Sequence, residues 1–239
     1  TMAPLAAGIP LKAILVNDNP AGNDALMVAP EIKDFKDLKG KKIGLEEYSI
    51  SHFVLVTALA QNGMSQSDVR VVNLTAGDAA AAFMAGRVDA AVVWNPWINQ
   101  IQLSGKGRAL FTSKDMPGMI PDLLVAQEKS IRSKRKHFVG MIKAWYDVEE
   151  FIRTNPDEAA AIMAKVVSMK PDEYKVFLPG TRFFDAKANI AALGSSSVEN
   201  SLLDVAPAIA KFLKDNNLME GTPDFSKGVD SSLVKEAAN

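Results

Sequence analysis

The chain has no cysteine among its 239 residues. That removes thiol nucleophiles, disulfides and any cysteine-ligated zinc or iron–sulfur centre. Histidine is nearly as scarce. His52 and His137 are the only two, too few for a histidine-rich metal site or a pair of catalytic imidazoles. An excess of charge of one sign is also missing: 27 basic residues stand against 28 acidic ones, net −1, so there is no electrostatic footprint for nucleic acid. No stretch approaches the roughly 18 apolar residues that a membrane-crossing helix needs. The apolar opening, TMAPLAAGIPLKAILV, is too short for that and lacks the basic flank of a signal peptide. What remains is a globular balance, 48% hydrophobic and 23% charged, sized for one large domain or two small ones. A chain of this length hides about 70% of its unfolded surface, enough for a core without metals or disulfides.

The first half alternates short apolar runs with helical patterns. LKAILV at 11–16 and ALMVA at 25–29 read as buried strands, and the NDNPAGND cluster between them reads as loop. KKIGL at 41–45, VRVVNL at 69–74 and VDAAVVW at 88–94 are further strands. Helices follow them over 50–62, from Thr75 to the C-cap glycine Gly86, and over 96–103. This rhythm predicts βαβ units and a parallel-rich sheet covered on both faces. The second half is helical after a last strand at 123–127. Helices are expected over 129–153, from Asn155-Pro156, from Lys170-Pro171 to the stop at Pro179-Gly180, and over about 197–215 after a Gly194–Ser197 turn, with a polar surface tail from Asn216. The fold class is therefore α/β with two lobes: 29–122 inserted as a compact α/β lobe, and 1–28 with 123–239 forming an outer lobe that looks incomplete.

Two segments carry chemistry. Glu46-Glu47-Tyr48-Ser49-Ile50-Ser51-His52 follows a strand and opens a helix. Free first-turn N–H groups and the positive end of the helix dipole favour an anion there. Ser49 or Ser51 caps the helix or donates a hydroxyl, and His52 adds a ring N–H. The plainer reading is ordinary capping beside a half-exposed histidine. Trp94-Asn95-Pro96-Trp97 also follows a strand, and in open α/β sheets ligands sit beyond the carboxyl ends of strands. Trp94, at the strand's mouth, is expected to face a ligand; Trp97 is as readily core. Gly105-Lys106-Gly107 lacks the third glycine of a dinucleotide fingerprint, and the basic run at 132–136 reads as a solvated helix face.

The strings GKKIGLEEYSISHFVLVTALAQNGM, DVRVVNL and AAAAFMAGRVDAAVVWNPWINQI resemble the substrate-binding proteins of ABC importers, in the group for nitrate, taurine, alkanesulfonates and thiamine-pyrimidine precursors. GNDALMV at 22–28 and PGMIPDLLV at 117–125 resemble that group's passages into and out of its second lobe. The resemblance implies a type II periplasmic-binding-protein-like fold, a small solute enclosed between lobes, capture outside the cytoplasmic membrane, delivery to an ABC permease, and neither cofactor nor metal. Carried over by position, it marks Tyr48, Ser49, Ser51, His52, Trp94, Asn95 and Pro96 as ligand-binding, with Asp24 and Asp122 near the lobe crossings and Arg182 offering a forked guanidinium. Family members begin with a further stretch of about seventy residues in the outer lobe, and a sheet lacking it shows an unpaired edge open to a second copy or a complementing N-terminal fragment.

The expected solute is an oxyanion or sulfonate. Glu46 and Glu47 would repel an anion if turned inward and would suit an amine- or pyrimidine-type solute instead, so that alternative stays open. Pyrimidine synthases resembling this family depend on a cysteine-rich segment that these residues lack, and Glu47 with His52 is the only acid–base pair in sight. A ligand-sensing domain of a regulator is the third reading; no helix-turn-helix pattern occurs in these residues.

Overall fold

The computed structural model describes residues 2–194 and 201–239. Residues 195–197 of the expected Gly194–Ser197 turn and residues 197–200 of the expected 197–215 helix lie outside the described residues. In chain order the elements are α1 (Met2–Ala6), β1 (Leu11–Pro20), β2 (Asp24–Val28), β3 (Lys42–Leu45), α2 (Ile50–Gln61), β4 (Arg70–Asn73), α3 (Ala76–Met84), β5 (Ala90–Trp94), α4 (Trp97–Leu103) and β6 (Arg108–Thr112). The remainder is β7 (Asp122–Gln127), α5 (Glu128–Ser133), α6 (Arg135–Thr154), α7 (Pro156–Val166), α8 (Pro171–Lys175), β8 (Thr181–Phe183), α9 (Ala186–Ala192), α10 (Leu202–Asp215) and α11 (Ser232–Ala237). Two compact units result: residues 20–117, and residues 1–19 with 118–239. The first boundary falls earlier than 28/29 because β2 is hydrogen-bonded into the inserted unit, and the second falls at 117/118 rather than 122/123.

In the inserted unit the sheet order is β4-β3-β5-β2-β6. β3 pairs parallel with β4 and β5, whereas β2 runs antiparallel to both β5 and β6. The sheet is thus mixed: four strands share one direction and β2 is inserted against them. Ala25, Met27, Ala91 and Val93 pack on one face with Ala79, Ala80 and Phe83 of α3 and Ile98 and Ile101 of α4. By the two-residue period Leu26, Val28 and Val92 point to the other face, and they are fully buried as well.

In the other unit β1 is the centre of a three-stranded sheet, β7-β1-β8. It runs on through the Asn/Asp/Pro cluster to Pro20 because β7 pairs with it antiparallel as far as Asp18↔Asp122; tertiary pairing here overrides turn composition. The expected 129–153 helix is divided at Lys134, whose backbone leaves the helical region (φ −128°, ψ 29°). The tail is not all surface. Leu233 and Val234 of α11 are fully buried with Ile14, Leu15, Val16 and Ile142.

β1 is anchored by one side chain. Asn189, completely buried in α9, accepts the Val16 N–H at 2.7 Å and donates Nδ2 toward the carbonyls of Val16 (3.1 Å), Phe184 (2.9 Å) and Asp185 (3.2 Å). Its carboxamide supplies to Val16 the donor and acceptor that a neighbouring strand would. Replacing Asn189 by Ala leaves these buried groups unpaired and is expected to lower the unfolding free energy by about 2–4 kcal/mol. Urea denaturation followed by circular dichroism measures this; a midpoint equal to wild type would show that the bonds add nothing.

Candidate ligand-binding site

The chemistry-bearing residues of the inserted unit gather at one sheet edge, where β3, β4 and β5 end and β2 begins. Register fixes this: Leu45 stands opposite Asn73, Gly44 opposite Ala91, and Asp24 opposite Trp94. α2 and α3 start directly after β3 and β4, so the positive ends of two helices and their first-turn N–H groups belong to the same edge. Ser49 is the N-cap of α2: its Oγ accepts the Ser51 N–H at 3.1 Å and donates to the Glu46 carbonyl at 2.7 Å. Thr75 caps α3, its Oγ1 accepting the Asp78 N–H at 3.3 Å.

The loop before α2 is held from inside. Glu47 N–H donates to Asn73 Oδ1 at 3.1 Å, and Tyr48 N–H donates to His52 Nδ1 at 3.1 Å. His52 Nε2 lies 2.7 Å from Gln66 Oε1. His52 is 1% exposed, so the ring expected to offer an N–H outward is buried with both nitrogens engaged. Ser51 is buried too. The large apolar side chains that reach solvent are Tyr48, at 55%, and Ile50, at 47%. Glu46 is exposed and Glu47 half-buried.

On the neighbouring strand Trp94 is 36% exposed. Trp97 packs on the backbone of α3, where a Cβ at Gly77 would come within 3.1 Å of its ring, so this indole is structural. Asn95 donates its N–H to the Asn23 carbonyl at 3.1 Å and its Nδ2 to Asn23 Oδ1 at 2.8 Å, while its Oδ1 accepts the Asn99 N–H at 3.3 Å. Its evident work is tying the β5–α4 turn to the β1–β2 turn; the following Pro96 is joined by a cis peptide. Asp24 is buried, with its N–H 3.4 Å from Ser113 Oγ. Eight of the expected site residues, Asp24, Tyr48, Ser49, Ser51, His52, Trp94, Asn95 and Pro96, thus come together at one edge. Gln66, Asn73 and Asn23, which hold them, gave no local signal, because each acts on a residue distant in the chain.

Asp122 and Arg182 belong to the other unit. Arg182 is exposed, with its guanidinium carbon 5.1 Å from the Phe184 ring centroid, a cation–π contact rather than an ion pair. Asp122 faces Asp18 across the β1–β7 pair. Burial first, and the Asp122 charge second, push the Asp18 carboxyl up to about 6; burial raises Asp122 as well. Among the described residues no lysine or arginine pairs with either carboxylate.

The family model described as NMT1/THI5 like matches residues 1–159. The taurine-binding periplasmic protein of Escherichia coli K12 is 26% identical over 238 residues, covering 95% of this chain and 72% of its own length. A second E. coli K12 protein, whose name proposes binding of aliphatic sulfonates, is 28% identical over 200 residues, covering 81% of this chain and 62% of its own length. The chain therefore spans only part of these relatives. Among solved structures, the periplasmic aliphatic sulphonate binding protein SsuA from Escherichia coli matches with a TM-score of 0.79 at 23% identity, covering 96% of this chain and 72% of that one. The desulfurization enzyme DSZB matches with a TM-score of 0.69 at 15% identity, covering 100% of this chain and 84% of that one. These likenesses establish the type II periplasmic-binding-protein-like α/β fold.

The raised Asp18 value has a definite sign in stability. Between the unfolded value of 3.8 and the folded value of about 6 the native state binds the extra proton, so stability falls as pH rises through that window and levels off above it. Solvent screening of this partly exposed pair limits the effect to about 1 kcal/mol. Asp18→Asn is expected to raise stability at pH 7.5 and flatten the slope between pH 4 and 6, read from denaturant midpoints. A slope unchanged in the variant would remove Asp18 as its source.

Proposed function

Since the chain belongs to the NMT1/THI5-like family, we propose that it is the solute-binding part of an ABC importer, acting outside the cytoplasmic membrane, where it captures a small sulfonate and passes it to a membrane permease. The observation that carries this is the makeup of one sheet edge. Two helix N-termini supply donors for an oxyanion, and Tyr48, Ile50 and Trp94 expose apolar surface beside them for a ligand's carbon chain. The names of the taurine- and sulfonate-binding relatives support the same solute class.

Binding without catalysis fits the residues. The acid–base pair weighed from the sequence, Glu47 with His52, is weakened as a proton-transfer device because the ring is buried and committed on both nitrogens. DSZB shows that the fold itself also hosts an enzyme. An amine-bearing solute is the second reading. It is favoured by Asp18 and Asp122, two half-buried carboxylates with which no lysine or arginine pairs among the described residues. Pairing of a second copy or of further chain along β7 or β8, the edges of their sheet, belongs to the proposal as well.

The test is a thermal-shift and calorimetric panel of taurine, ethanesulfonate, longer alkanesulfonates and an aminopyrimidine, with sodium sulfate to control for ionic strength. A sulfonate at about 100 times its Kd adds about 2.7 kcal/mol to stability. Trp94→Ala is expected to weaken that binding about tenfold while leaving the unliganded Tm within about 2 °C of wild type. A response to the aminopyrimidine alone would transfer the assignment to the amine reading. No response from a cooperatively melting chain would sink both.

A further inference from the structure

Resting on the sulfonate reading, we propose that His52 is a positioning residue: its imidazole holds the Tyr48 backbone, and through it sets where the next N–H groups and the Tyr48 ring meet the ligand. The argument is an accounting of donors in the loop. Glu47 N–H goes to Asn73 Oδ1, Tyr48 N–H to His52 Nδ1, Ser51 N–H to Ser49 Oγ, and Phe53 N–H to the Ser49 carbonyl. Ser49 N–H and Ile50 N–H have no such partner among the described residues. These two are the donors left for an oxyanion.

Their place depends on Tyr48, which sits in the left-handed region at φ 64°. A bulky non-glycine residue is held there only when its surroundings impose it. His52 imposes it. A backbone N–H can only donate, so Nδ1 must carry the lone pair, and the proton is on Nε2, donated to Gln66 Oε1. The Tyr48 N–H thus fixes the tautomer, and Gln66 Oε1 accepts the proton left on Nε2. The Tyr48 ring also meets the His52 ring edge-on, centroids 5.8 Å apart. Buried at 1% exposure, the imidazole acts on the ligand only through this loop.

Two amides of similar size separate positioning from mere packing. In His52→Asn the Oδ1 replaces Nδ1 and still accepts from Tyr48, while the contact with Gln66 is lost. In His52→Gln the amide reaches toward the Nε2 position and Tyr48 loses its acceptor. Both variants lose comparable packing and are expected to show similarly lowered unliganded Tm values. Affinity for the sulfonate that binds wild type is expected to stay within about threefold in His52→Asn and to fall at least tenfold in His52→Gln, the effect of losing one buried acceptor. Equal losses in the two, or better binding by His52→Gln, would overturn the proposal. Amide hydrogen exchange at Tyr48 without ligand gives an independent readout: slow in wild type and His52→Asn, fast in His52→Gln. If wild type binds no sulfonate, the functional reading falls alone; exchange then decides for His52, and equal rates in all three proteins would overturn its role.

Discussion

The candidate edge hangs from a single short strand. β2 is buried at every residue and bonded on both sides to strands running the other way. Because it alone is reversed, it begins where β3, β4 and β5 end. That places Asp24 against Trp94 and Asn23 against Asn95. A slip of one residue would exchange the two faces of the strand, driving Asp24 and the apolar residues after it into each other's places. Burial of Leu26, Met27 and Val28 on both faces stabilises the strand, and its backbone pairing with β5 and β6 holds the register that assembles the edge.

Within that frame the loop before α2 is economical with its polar groups. Most of its N–H groups are spent on the protein's own side chains, which is what allows a short segment to keep a left-handed tyrosine. The same economy leaves few donors for anything outside. The apolar side chains follow the opposite course. Tyr48, Ile50 and Trp94 stay exposed while the alanines, valines and leucines behind them are sealed. Scattered exposed apolar residues need no explanation, but three at one edge, next to two helix N-termini, are the feature on which the proposed sulfonate site rests.

Much of this was legible in the sequence, and the misses have physical causes. Strands β2, β3, β4 and β5 announced themselves as apolar runs followed by caps, and the Ser49 and Thr75 starts of α2 and α3 were visible as capping residues. β6 and β8 were not expected: RALFT alternates poorly and TRF is three residues long, so both exist only because a neighbour offers its backbone. The direction of β2 could not be read, since apolar runs carry no sign of orientation. His52 looked like a donor because its partners are not local signals. Gln66 lies fourteen residues on, and the bond to Tyr48 requires a backbone conformation that tyrosine rarely adopts. The tail looked like surface because two apolar residues, Leu233 and Val234, make a weak pattern, yet both are core.

The other unit divides stability and chemistry between the two halves of β1. Ala13 to Val16 are buried, packed against α6 and α11, and clamped by Asn189. From Asn17 onward the strand is polar, and Asp18 is set directly across from Asp122. Like charges opposite one another in an antiparallel pair weaken it, and burial adds to the penalty. Nothing in the packed half requires this arrangement: the pairing would be stronger with an amide or a threonine at either position. The fold bears the repulsion because the apolar half supplies enough stability to hold the register. The consequence is a half-buried pair of carboxylates with which no lysine or arginine pairs among the described residues, the feature on which the proposed amine reading rests.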